Sequence, residues 1–238
     1  MRSLALAPDD FQQRVRQAAD QAGRPNDHVS RFYVVGSVSS GKSSLVERLR
    51  AFKTFEEWPE PPLELMFKDP KTLGNEEEKQ VDGWVLRQLA KKNESMRSAS
   101  YGIYIMDRAP LDLFAFSKQP SDNVKKAREL KVLIKESGIE SGQIIFLRAD
   151  KETLFERQVR RGRGPEWLKA AAYNAEELQK QADKLHKIYN NEKVLDTTAE
   201  TMEDVARAAA EIILFGEFEP SNLEARRASI ETGEVIDA

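Results

Sequence analysis

The chain has 238 residues and a net charge of −3; 40% of it is hydrophobic, 32% is charged, and none of it is cysteine. That length suits one large domain with its own core or at most two small ones. The slightly acidic balance excludes a protein built to coat nucleic acid or an anionic membrane, and the missing cysteines exclude a disulfide, a thiolate zinc site and a cysteine nucleophile.

In chain order, Phe11, Val15, Ala18 and Ala22 fall at helical spacing before Gly23 and Pro25 stop the helix. RFYVV, 31–35, is a short apolar run bounded by Ser30 and Gly36 and reads as a buried strand. Leu45, Leu49 and Phe52 mark a helix over 42–52. KTFEEW, 53–58, reads as a second strand that WPEPP ends, because consecutive prolines cannot continue a ladder. A helix is expected over 76–92 and a strand over YGIYIMD, 101–107. A short helix after Pro110 and a charged one from Asn123 to Glu136 follow. GQIIFLR, 142–148, is the next strand, and 150–161 the next helix, with Leu154, Phe155 and Val159 inward. After the break RGRGP, a long helix over 166–190 carries Leu178, Ala182, Leu185 and Tyr189 on one face. KVLDTT, 193–198, is the last strand, and Met202, Val205, Ala209 and Ile212 mark the last helix.

Strands alternating with helices predict an α/β protein with a parallel sheet covered on both faces. The expected organisation is a helical extension over 1–29, one domain over 30–215, and a loosely ordered tail over 216–238, where periodicity fades. No apolar run approaches the ~18 residues of a membrane span. The apolar part of MRSLALAPDD is too short for a secretory signal. A soluble, cytoplasmic protein with no membrane and no nucleic-acid polymer as partner is expected.

Residues 36–43, GSVSSGKS, fit G-x-x-x-x-G-K-[ST], with an apolar strand before and an amphipathic helix after. The glycines let the backbone fold back so that several N–H groups face one anion, and the following helix adds its positive end. Gly36, Ser37, Val38, Ser39, Ser40, Gly41, Lys42, Ser43 and Ser44 form the candidate nucleotide site. Lys42 would reach the outer phosphates of ATP, and Ser43 would ligate Mg²⁺.

Three further stretches bear on where the terminal phosphate goes. In WPEPP, Glu60 follows the second strand, where a carboxylate can accept the proton of an attacking hydroxyl; a solvated Glu in a Pro-rich turn fits the same residues. In YIMDRAP, Asp107 ends a strand, the place of an acid that holds Mg²⁺, with Arg108 beside it; an Asp capping the next helix is the alternative. In FERQVRRGRGPE, Arg157, Arg160, Arg161 and Arg163 fall within seven positions. They suit a lid that neutralises charge in the transition state, or else a solvated basic helix end.

The order GSVSSGKS, PEP, DR, an R-x-x-x-R-G-R lid, a long helix and LDTT resembles the deoxynucleoside kinase and thymidylate kinase superfamily of P-loop kinases, from about 31 to 214. The resemblance implies a five-stranded parallel sheet with helices on both faces and an Arg-rich lid, often in a dimer. It implies ATP and Mg²⁺ as cofactors and a nucleoside or nucleotide as small-molecule partner. By the same resemblance Glu60 matches the general base. Asp107 and Arg108 match the acid–arginine pair, and Arg157, Arg161 and Arg163 match the lid. Thymidylate kinases carry an Arg before the Glu-Pro that contacts the substrate's monophosphate; here Pro59 stands there, which favours a nucleoside acceptor. LDTTAETMEDVA instead looks like the thymidylate branch, and the family's DRS or DRY is DRA here.

Gln80, Trp84 and Gln88 share one helical face that could stack on and hydrogen-bond a base, although an amphipathic helix burying Trp84 explains them too. Glu166, just beyond the lid, would contact the sugar by resemblance alone. The leading expectation is transfer from ATP to the 5′-hydroxyl of a (deoxy)nucleoside. A thymidylate-type monophosphate kinase and a non-catalytic nucleotide sensor or NTPase subunit are the alternatives.

Overall fold

The apolar run before the glycine-rich motif becomes the middle strand of a parallel sheet. A computed structural model of the chain describes residues 29–50, 52–55, 102–116, 120–137, 142–161, 175–189, 194–215 and 223–232, with isolated helical positions at 13, 88, 90–92 and 94. Five strands, β1 (Val29–Val35), β2 (Lys53–Phe55), β3 (Gly102–Asp107), β4 (Gln143–Arg148) and β5 (Val194–Asp196), lie in the order β2-β3-β1-β4-β5. Every neighbouring pair is parallel. From β1 the chain goes to the edge at β2, returns to β3 beside β1, then crosses to β4 and β5 on the other side, so β1 sits at the point where the strand order reverses. In such sheets that point opens a crevice beyond the strands' carboxyl ends.

Alternation along the strands sends side chains to two cores. Tyr33, Val35, Met106, Ile144 and Phe146 face one side. They are covered there by a 3-10 helix (Pro110–Phe116), α2 (Pro120–Ser137), α4 (Ala175–Tyr189) and α6 (Leu223–Thr232). Phe32, Val34, Ile105, Ile145 and Leu147 face the other, beneath α1 (Lys42–Arg48) and α5 (Met202–Phe215). Each of the larger side chains that is fully buried here contributes about 1.5–3 kcal/mol. The strand ends that carry the site therefore stand on two buried apolar layers.

The remaining helix, α3 (Lys151–Arg160), is capped by Asp150, whose side chain accepts from Thr153 N–H at 2.6 Å. That hydrogen bond holds the Asp150 carboxyl below the usual range. Its inward face differs from the apolar pattern. Leu154 is buried, but Phe155 is only partly so and Val159 is 46% exposed, while Gln158 is 2% exposed. Leu154 and Gln158 are one turn apart and share the inward stripe, which leaves Val159 on the outer side. The apolar residues and the buried residues of this helix are not the same set.

The C-terminal stretch corrects the expectation of a loose tail over 216–238. Residues 223–232 form α6, with Ile230 in the first core and Arg227 buried against α2, its guanidinium donating to Glu231 and to the Ala127 carbonyl. The expected N-terminal extension, the end of the second strand past Phe55 and most of the helix over 76–92 lie outside the described residues. Among the described residues no helix is long and apolar enough to cross a membrane.

Candidate functional site

At the carboxyl end of β1 the chain folds back through 36–41 into α1. Gly36 has φ 151°, and a Cβ there would lie 2.5 Å from both the Leu147 carbonyl and Ser40 Oγ, so only glycine fits. Gly41, at φ 97°, caps α1. Ser39 takes the left-handed conformation at φ 66° without being glycine. The hydroxyls of Ser37 and Ser40 are buried and have no hydrogen-bond partner among the described residues. Unmet buried donors in a loop of this shape suit an anion.

Lys42 is 6% exposed and folds back over the loop, its Nζ donating to the carbonyls of Gly36 at 3.0 Å and Ser37 at 2.7 Å. Burial pushes its pKa down to about 8, assisted by the positive charges of Arg108 and Arg161 and opposed by Asp107 and Asp112. A buried ammonium of this kind suits an anion.

Parallel register places the end of β3 beside the end of β1, with Val34 opposite Asp107. Ser43, in the first turn of α1, donates its hydroxyl to Asp107 Oδ2 at 2.7 Å. Asp107 Oδ1 is buried and has no partner among the described residues. No group of three or more acids or histidines gathers there among the described residues. A hydroxyl, a carboxylate with one unused oxygen and the phosphates of a nucleotide nevertheless form an all-oxygen set. Mg²⁺ takes such a set, because it keeps several waters and needs only one or two protein ligands. The residues present thus fit the ion, which Ser43 and Asp107 could hold.

Arg108 is held at φ 70°, its backbone N–H donating to the Val34 carbonyl at 2.9 Å. Five residues past Asp107, in the 3-10 helix, Asp112 is 3% exposed and accepts from the Tyr189 hydroxyl at 2.7 Å. Burial pushes the Asp112 carboxyl up to about 6, against the pull of Arg108, the Tyr189 hydrogen bond and Lys42. Burial likewise raises the Tyr189 hydroxyl, which stays a protonated donor. Asp112 escaped the motif reading, though an acid inside the apolar run PLDLFAF was a visible signal.

Helix α3 meets the loop at two adjacent residues. Gln158 Oε1 accepts from Ser39 Oγ at 2.6 Å. Arg157 donates to the Thr197 hydroxyl at 2.9 Å and to the Thr197 carbonyl. The Thr197 hydroxyl in turn reaches the carbonyls of Ser40 at 3.2 Å and Arg148 at 3.1 Å. Arg157 is thereby placed at the end of β5, beside the loop. Arg161 ends α3, exposed, and its charge still acts on Lys42. Gln88 is helical and half-buried. Glu60, Gln80, Trp84, Arg163 and Glu166 lie outside the described residues.

No family model matches the chain, and no curated protein matches it in sequence. Solved structures do match. Deoxyadenosine kinase from M. mycoides with bound dATP is similar at a TM-score of 0.57 and 19% identity, over 75% of this chain and 96% of that one. The same enzyme with the products dCMP and dCDP matches at 0.57 and 20%, with the same coverage. Its complex with dCTP matches at 0.53 and 18%. The chain shares the α/β fold of these P-loop kinases, a parallel sheet between layers of helices.

Proposed function

We propose that the protein is an ATP-dependent kinase that transfers the γ-phosphoryl group to the 5′-hydroxyl of a nucleoside, preferably a deoxynucleoside. The observation that carries the reading is the contact of Ser43 with Asp107 beside a buried Lys42, at the carboxyl ends of adjacent parallel strands. A phosphate-binding loop joined to a strand-end acid is what a nucleotide with its divalent ion requires. The fold shared with a deoxyadenosine kinase supports a nucleoside acceptor, as does Pro59 in place of a phosphate-binding arginine.

In this reading the 5′-oxygen bonds to the γ-phosphorus as Glu60 takes its proton. The bond from that phosphorus to the β–γ bridging oxygen breaks, and ADP leaves with the electron pair. Phosphoryl transfer depends mostly on placement and charge. Lys42 and the loop N–H groups hold the phosphates. Arg108, Arg157, Arg161 and Arg163 would neutralise the charge that spreads over the transferring group. Mg²⁺, when bound with the nucleotide, neutralises phosphate charge; Ser43 and Asp107 would hold it. Gln80, Trp84 and Gln88 would read the base, and Glu166 the sugar.

The test is a mass-spectrometric screen with ATP and Mg²⁺ against the common nucleosides and their monophosphates. A nucleoside gaining one phosphate supports the reading and identifies the base. A monophosphate becoming a diphosphate moves it to the thymidylate type. Bound ATP without any acceptor leaves the sensor or NTPase alternative. Glu60→Ala is expected to keep ATP binding and lose transfer by at least ~10²-fold; near-normal transfer removes Glu60 from the mechanism.

A further inference from the structure

We propose that Gln158 is a positioning residue of the phosphate loop, holding Ser39 in the left-handed conformation that turns the loop around its anion. This rests on the nucleotide-binding reading above. Ser39 is one of two non-glycine residues with positive φ among the described residues, and the other, Arg108, is held by a backbone hydrogen bond to the Val34 carbonyl. A serine in that conformation persists where its surroundings over-determine it. Among the described residues the side-chain hydroxyl bonds to another element: Gln158 Oε1 receives it at 2.6 Å, with both residues at or below 6% exposure.

The amide is an unusual occupant of its place. It stands on the inward stripe of α3 one turn after Leu154, where an apolar side chain would pack without polar loss. Its Nε2 is buried and has no partner among the described residues. An unmet buried donor costs stability, so packing alone does not account for a glutamine there. The neighbouring α3 residue acts on the neighbouring loop residue, since Arg157 holds Thr197 and Thr197 holds the Ser40 carbonyl. Helix α3, capped at Asp150, is therefore the frame against which loop residues 39 and 40 are set.

The test is ATP binding by calorimetry in the presence of Mg²⁺, with no acceptor, in a double-mutant cycle. Gln158→Met keeps the volume and removes the amide. Ser39→Ala removes the hydroxyl and keeps the backbone demand. Ser39→Gly removes the demand itself. Releasing the strained residue should weaken ATP about tenfold in Gln158→Met and in Ser39→Ala. In the Ser39→Gly background, whatever that variant's own affinity for ATP, adding Gln158→Met should change nothing further, because glycine adopts the conformation unaided. Melting curves report folding, and Ser39→Ala carries the test alone if Gln158→Met does not fold. Gln158→Met binding ATP as wild type does would overturn the proposal. So would an equal loss in the Ser39→Gly background, which marks a direct nucleotide contact or general packing. Wild-type protein that binds no ATP would instead remove the nucleotide reading, and the positioning role with it.

Discussion

Asp107 ends β3 and Asp112 stands five residues further on, and both are buried with one oxygen bonded to a hydroxyl and one unmet. The hydroxyls differ. That of Asp107 belongs to Ser43, on the first turn after the phosphate loop, where a bound nucleotide and its ion would take over both partners. That of Asp112 belongs to Tyr189, buried at the end of α4 in the first core, with nothing to exchange for. In the proposed reading the first acid would release its contact and bind, and the second would stay. A buried acid is thus assigned by what its partner is free to do rather than by how deep it lies.

Substitutions at the two positions should separate them. Asp107→Asn keeps the shape and halves the ligand character, and we expect transfer at saturating ATP to fall by at least ~10²-fold, with a raised requirement for Mg²⁺. Initial rates across a magnesium titration measure both, and a rate within a few-fold of wild type would erase the distinction. Arg161→Ala should lower kcat about tenfold and leave the acceptor's KM within a few-fold, as expected of a charge that matters most in the transition state. An unchanged kcat would leave Arg161 only its influence on Lys42.

Asp112→Asn should change turnover by less than about fivefold and act on stability instead. The Asp112 pKa rises on folding from 3.8 to about 6, so the folded state holds the proton more tightly. The stability this contributes is fully present below 3.8 and is lost as pH rises through about 6. Denaturant unfolding at pH 4 and pH 7 should show wild type losing on the order of 2–3 kcal/mol relative to the asparagine variant. A constant difference between the two would mean that the carboxyl does not titrate in that range. Tyr189→Phe should be the mildest change, destabilising by about 1–2 kcal/mol because it strands a buried acceptor. Thermal melts should show it most weakly at low pH, where the protonated Asp112 no longer needs a donor.

The strands and the loop were legible because their signals are local. RFYVV, YGIYIMD and QIIFLR are continuous apolar runs, as strands buried on both faces must be, and GSVSSGKS carries its geometry in its glycines. Of the long helix expected over 166–190, the described part, 175–189, is helical, with Leu178, Ala182, Leu185 and Tyr189 all buried. Gln158 was not legible. Helical periodicity read through apolar residues chose Phe155 and Val159, and a polar residue facing inward has no signature until its partner, 119 positions away, is known. Within the expected tail, α6 was missed for a similar reason: among its described side chains, one of the buried ones, Arg227, is charged and gives no apolar signal beside Ile230.

Spacing along the chain determined the alternation of strand and helix, the phosphate loop and the acid at the end of a strand, because each rests on residues within a few positions of one another. Tertiary structure decided the rest. The parallel register set Asp107 beside Val34 and so brought Ser43 within 2.7 Å of it. The packing of α3 and α4 gave Ser39 its glutamine and Asp112 its tyrosine. Hydrogen bonds and charge shifts depend on distance in space, and a sequence records only distance along the chain.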